Sequence, residues 1–130
     1  MIVVDASALV EMLLQMPAAD RVERRLFDTA EALHAPHLLD IEVTQVVRRF
    51  ASRGDISDEA GRAALADLAD LGVRRHPHDV FLSRVWELRH NLTAYDAVYV
   101  ALAESLAAPL LTRDRRLASA RGHRARIELV

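Results

Sequence analysis

The stretch "MIVVDASALV", residues 1–10, decides how the rest of the chain is read. Its first half, "MIVVD", is a near-continuous apolar run of strand length. Such a run is the mark of a central parallel strand buried on both faces. Asp5 ends the run, and a helical pattern follows over about 7–15. Parallel neighbours are reached only through crossovers, so more strands and helices in alternation are expected downstream. A second helical pattern covers about 18–32, with Val22, Leu26, Phe27 and Ala30 at helical spacing. "LHAP" is a second strand ended by Pro36. It leads into a helix over about 38–53 that carries Leu39, Val43, Val46, Val47 and Phe50 on one face. Gly54 and Asp55 break that helix, and another runs over about 57–70 with Ser57 as its cap. "GVRRH" is a third strand, followed by helices over about 78–90 and 94–107. "PLLT", a short helix over about 114–120 and "RIELV" complete the series. The spacing predicts an α/β fold, with a mostly parallel five-stranded sheet between helices on both faces.

At 130 residues a single domain spanning 1–130 is expected. Hydrophobic residues make up 52% and charged residues 28%, the balance of a folded chain rather than a disordered one. There is no cysteine, which excludes disulfides, thiolate catalysis and cysteine-based metal sites. No basic segment precedes the first apolar run, and no run reaches membrane-spanning length. A cytoplasmic protein without membrane association is the expectation. The net charge of −2 does not advertise a nucleic-acid binder. All 17 basic residues, however, are arginine, whose planar fork suits phosphate, and they cluster, as at Arg113, Arg115 and Arg116. A genome's base composition accounts for a lysine-free, arginine-rich chain equally well.

The functional crevice of an open α/β sheet lies at the carboxyl ends of its strands. Asp5 ends the first strand and Asp114 follows "PLLT", so both belong at that edge. Glu42, about one turn into the helix after "LHAP", belongs near it too. Asp96, in "NLTAYDAVYVALAE" (91–104), is left unplaced, because the segment before it is itself helical. Each acid has a second reading. Asp5 and Asp114 suit helix N-caps, Glu42 a first-turn acid, and Thr93 with Asp96 a capping box. Together the acids ask for more. Two carboxylates about 5 Å apart repel by roughly 3 kcal/mol at an effective dielectric of 20. A cluster of them must take up protons or bind cations, and with oxygen ligands alone the natural guest is Mg²⁺ or Mn²⁺. Such sites hydrolyse phosphodiesters.

Other constellations fail. GxxxxGK[ST], GxGxxG and GxSxG are all absent. A receiver-like phosphoacceptor domain needs a late lysine, and an aspartyl phosphatase needs Asp-x-Asp where this chain has Asp5-Ala6-Ser7. His34, His37, His76 and His78 flank short strands without a further matching ligand.

"IVVDASALV", "APHLLDIEVTQVVRR", "LTAYDAVYVALAE" and "LLTRDRRLA", in that order and spacing, resemble the PIN-domain ribonucleases, especially the VapC-like toxins of toxin–antitoxin pairs. The resemblance covers nearly the whole chain and implies a parallel-sheet α/β/α sandwich. It also implies a Mg²⁺- or Mn²⁺-dependent endoribonuclease whose ligands are Asp5, Glu42, Asp96 and Asp114. Asp40 is the alternative to Glu42, which is preferred because it directly precedes the apolar "V-x-x-V-V-R-R" run. Asp5 and Asp96 would be the main ligands, and Glu42 and Asp114 would hold a second ion or its waters. Ser7 and Thr112 are candidate supporting hydroxyls, and Arg113, Arg115 and Arg116 candidate RNA contacts. The implied partners are an RNA substrate, a small antitoxin that covers the site, and a second copy of the chain. A PIN-fold binding module without catalysis is the rival reading.

Overall fold

A computed structural model describes residues 1–130. Five strands form one sheet in the order β3-β2-β1-β4-β5, and all four pairings are parallel. They are β1 (Ile2–Val4), β2 (Leu33–Pro36), β3 (Arg74–His76), β4 (Leu110–Thr112) and β5 (Ile127–Leu129). β1 lies at the centre, with Val3 opposite His34 of β2 and Leu110 of β4. Ile2, Val3 and Val4 have no exposure at all, as a strand covered on both faces requires.

The connections explain the layers. β1 leads through α1 (Ala6–Leu13) and α2 (Ala19–Phe27) to β2. β2 leads through α3 (Leu38–Ser52) and α4 (Asp58–Asp70) to β3. Both crossovers step in the same direction along the sheet, and α1 to α4 pack on one another. After β3 the chain passes through α5 (Leu82–Glu87) and α6 (Ala94–Leu106) and jumps back to β4 on the far side of β1. A crossover of the same hand in the opposite direction must use the other face. α6 accordingly packs with α5 and lies across β1 and β2. α7 (Arg115–Ser119) closes the path to β5. The result is a three-layer α/β/α sandwich whose strand order reverses between β1 and β4. No helix is long and apolar enough to cross a membrane.

Two helices fall short of their predicted spans. α2 ends at Phe27 instead of reaching residue 32, and Ala30 takes a left-handed backbone (φ +50°) as the chain turns toward β2. The segment over 78–90 gives a 3-10 turn at Asp79–Phe81 and only six residues of α5. None of the residues of α5 is buried, and Val80, Leu82 and Trp86 are well exposed, so packing does not extend the helix there.

Candidate active site

Because every strand is parallel, all five carboxyl ends lie at one edge, and the β1/β4 reversal opens a crevice there. α6 has to carry the chain from that edge back to the start of β4, so its first turn stands at the same edge. This puts Asp96 beside Asp5. Asp5, Glu42, Asp96 and Asp114 all line a crevice of about 420 Å³, together with Ser7, Ile41, Gln45, Arg49 and Tyr95.

Asp5 occupies the N-cap position of α1 but its side chain makes no capping bond. Its Oδ2 accepts instead from the hydroxyls of Ser7 and, at 2.7 Å, Thr112. Each hydroxyl has one proton to give. With both spent on Asp5, the 3.3 Å contact between Ser7 Oγ and Thr112 Oγ1 holds no bond of its own. The two oxygens accept from main-chain N–H groups, Ser7 from Arg113 at 2.9 Å and Thr112 from Asp114 at 3.0 Å. The end of β1 and the end of β4 are thereby laced together around one carboxylate. Only 8% of Asp5 is exposed, and burial raises its pKa against the lowering effect of the hydroxyls.

The other three acids are held differently. Asp114 caps α7, its Oδ1 accepting from Arg116 N at 2.8 Å and Leu117 N at 3.4 Å. Thr93 Oγ1 caps α6 by accepting the Asp96 N–H at 3.2 Å, which leaves the Asp96 carboxylate to the crevice. Glu42 Oε2 accepts from the Tyr99 hydroxyl at 2.6 Å. Burial, then the nearby Asp5 and Asp96 charges, push Glu42 up to about 7 despite the Tyr99 bond. Asp96 is raised too, by burial and then by Asp5 and Asp114. Asp40, two residues before Glu42, lies outside this crevice and pairs with Arg75 at 2.8 Å.

The acids share a crevice without three of them closing on a single point. The donor set fits a hard divalent cation. All donors are oxygens, and Asp5 Oδ1, Glu42 Oε1 and Asp114 Oδ2 make no hydrogen bond within the chain. The one salt bridge to these four acids comes from Arg116, whose Nε is 3.8 Å from Asp114 Oδ1 on a side chain 95% exposed.

Arg113 faces elsewhere than Arg115 and Arg116. Its guanidinium donates to the Val130 main-chain oxygen and stands 3.6 Å from Glu11, while Arg115 and Arg116 are exposed beside the crevice. The histidines form a separate corner. His34 Nδ1 and His76 Nε2 are 2.9 Å apart, and His78 Nε2 accepts the Leu38 N–H at the start of α3. Burial lowers the pKa of both His34 and His76.

Sequence reasoning missed Tyr99, Arg49, Gln45 and Tyr95. Helical spacing holds the signal for three of them. Tyr99 is three residues beyond Asp96, and Gln45 and Arg49 are three and seven beyond Glu42, so each shares its acid's helical face.

The family model of the PIN domain matches residues 2–122. The chain belongs to the PIN-domain family. Ribonuclease VapC12 of Mycobacterium tuberculosis is 47% identical to this PIN domain over 130 residues, covering 100% of the chain and 99% of that protein. Among solved structures, PAE2754 from Pyrobaculum aerophilum is similar with a TM-score of 0.70 at 28% identity, over 97% of this chain and 81% of that one. VapBC2 from Rickettsia felis, bound to a DNA fragment from their promoter, reaches a TM-score of 0.67 over 99% of this chain and 98% of that one. At 13% identity that likeness is one of fold alone.

Proposed function

We propose that this PIN domain is the endoribonuclease toxin of a toxin–antitoxin module, cutting RNA phosphodiester bonds with a carboxylate-held Mg²⁺ or Mn²⁺. The observation that carries the reading is a crevice lined by four carboxylates, three of which have no salt bridge within the chain. Whole-length similarity to a VapC ribonuclease supports the reaction class.

Asp5, Asp96, Glu42 and Asp114 are the residues to hold the cation. When bound, a divalent ion offsets their mutual repulsion and polarises phosphoryl oxygen and water. Ser7 and Thr112 fix the Asp5 carboxylate, which presents Oδ1. Glu42 and Asp114 help to deprotonate the attacking water, whose oxygen bonds to phosphorus as the leaving oxygen departs in line and takes a proton from solvent. Arg115 and Arg116, exposed next to Asp114, are the residues to meet RNA phosphates. Arg113 contributes through its main-chain N–H to Ser7. The partners on this reading are an antitoxin protein, in keeping with the VapC kinship, and a second copy of the chain in the cytoplasm.

The deciding experiment is RNA cleavage by the purified protein with and without EDTA. Cleavage that EDTA stops and that D5N and D96N both lose is the expected result. Full cleavage by both variants would sink the ligand assignment. A wild-type protein that binds RNA without cutting it would point to the non-catalytic module.

A further inference from the structure

Tyr99 is 1% exposed and one of the largest side chains in the core, yet it carries a hydroxyl. Phenylalanine would fill the same volume and bring no polar group to satisfy. The hydroxyl makes one side-chain bond, to Glu42 Oε2 at 2.6 Å, and joins α6 to α3 across 57 positions of sequence. That bond is also the one that the Glu42 carboxylate makes within the chain. Tyr99 follows Asp96 by three residues on α6, on the same helical face. It therefore ties the segments that carry Asp96 and Glu42 to one another while remaining out of the crevice itself.

A glutamate has three side-chain torsions and, untethered at the edge of a crevice, samples several rotamers. Asp5 is fixed by two hydroxyls and Asp114 by two amides; Glu42 has Tyr99. We propose that Tyr99 is a positioning residue whose hydroxyl holds Glu42 Oε2 and so keeps Oε1 turned into the crevice. The inference rests on Glu42 serving the nuclease site, and it adds the residue that orders that site from the core side.

The test is Tyr99→Phe, with Mn²⁺ affinity measured by calorimetry beside kcat and KM for RNA cleavage. The expected result is a Tm within about 4 °C of wild type and Mn²⁺ affinity weakened by about 10- to 100-fold. kcat falls by a similar factor while KM for RNA is unchanged. In an E42Q background Y99F adds nothing further, because its effect passes through Glu42. A second readout keeps the native hydroxyl. The chain has two tyrosines, so 3-fluorotyrosine gives two ¹⁹F resonances; Mg²⁺ should move the one assigned to Tyr99. Y99F protein that binds Mn²⁺ and cleaves like wild type overturns the inference and leaves the ribonuclease reading standing. So does an effect that persists in full when Glu42 is already Gln, or a Tyr99 resonance indifferent to Mg²⁺. Wild-type protein that neither binds Mn²⁺ nor cleaves RNA overturns both.

Discussion

Asp40 and Glu42 leave α3 two residues apart and meet opposite surroundings. Asp40 points to the outer surface, where Arg75 takes both its oxygens at 2.8 and 3.2 Å. Glu42 turns into the crevice and finds only the neutral hydroxyl of Tyr99. The same contrast runs through the molecule. Away from the crevice, Glu104 is met by Arg84 at 2.8 Å, and Arg25 joins Glu31 and Glu128 at 2.7 and 2.6 Å. Those arginine bonds lower the pKa of Glu31 and Glu104. Inside the crevice Asp5, Glu42 and Asp96 are all raised. Outside the crevice Asp40, Glu31, Glu104 and Glu128 are met by arginine, whereas Asp5, Glu42 and Asp96 have no salt bridge. The crevice supplies hydroxyls and amides instead, which orient a carboxylate without cancelling its charge.

The strongest way to break this contrast is to remove a crevice acid. D5N should lower RNA cleavage by about 1000-fold, equivalent to about 4 kcal/mol of barrier, in single-turnover assays. Adding Mg²⁺ should stabilise the wild type by about 2.7 kcal/mol when its concentration is 100 times its Kd. That gain, read as a rise in Tm over protein in EDTA, should shrink in D96N. No rise in the wild type would mean that the crevice has no cation to take up.

The pH dependence sharpens the contrast further. Glu42 has a folded pKa of about 7, above its ordinary 4.5. Between those values the native state holds the proton more tightly than the unfolded chain, so metal-free stability falls as pH rises through that window. E42Q escapes the loss. The stability difference between E42Q and wild type in EDTA should grow from pH 4.5 to 7 and level off above it, at about 2 kcal/mol after allowing for solvent screening. His34 and His76 act in the opposite sense below their ordinary 6.5, but both proteins carry them and they cancel. A flat difference would remove Glu42 from the set of stressed acids. The smallest effect belongs to the outer surface. D40N should cost no more than about 1 kcal/mol and leave cleavage intact, since Asp40 is 42% exposed and outside the crevice.

The parallel sheet was legible because its central strands β1 and β4 are nearly apolar throughout and the strands are separated by helices with recognisable caps, Ser57 and Thr93 among them. Asp5 and Asp114 were placed by lying at strand ends, and the cap reading survived for Asp114 while failing for Asp5. Asp96 escaped placement although the information was present. A helix that precedes a parallel strand must begin at the carboxyl edge, whatever comes before it. What the sequence could not show was pairing over long separations. Tyr99 to Glu42, Thr112 to Asp5 and the His78 imidazole on the start of α3 each depend on how the layers meet. The direction of Arg113 was hidden for the same reason, since its partners are Glu11 and Val130.

The pairing of β1 with β4 also sets when the protein becomes dangerous. Asp5 leaves the ribosome more than a hundred residues ahead of Thr112 and Asp114. At about 5–20 residues per second, synthesis takes at least several seconds to reach the strand that completes the crevice. Such distant pairing also closes late in folding. A chain interrupted before β4 lacks both the β1–β4 seam and Asp114. The crevice is therefore among the last parts of the fold to be completed as the chain is made.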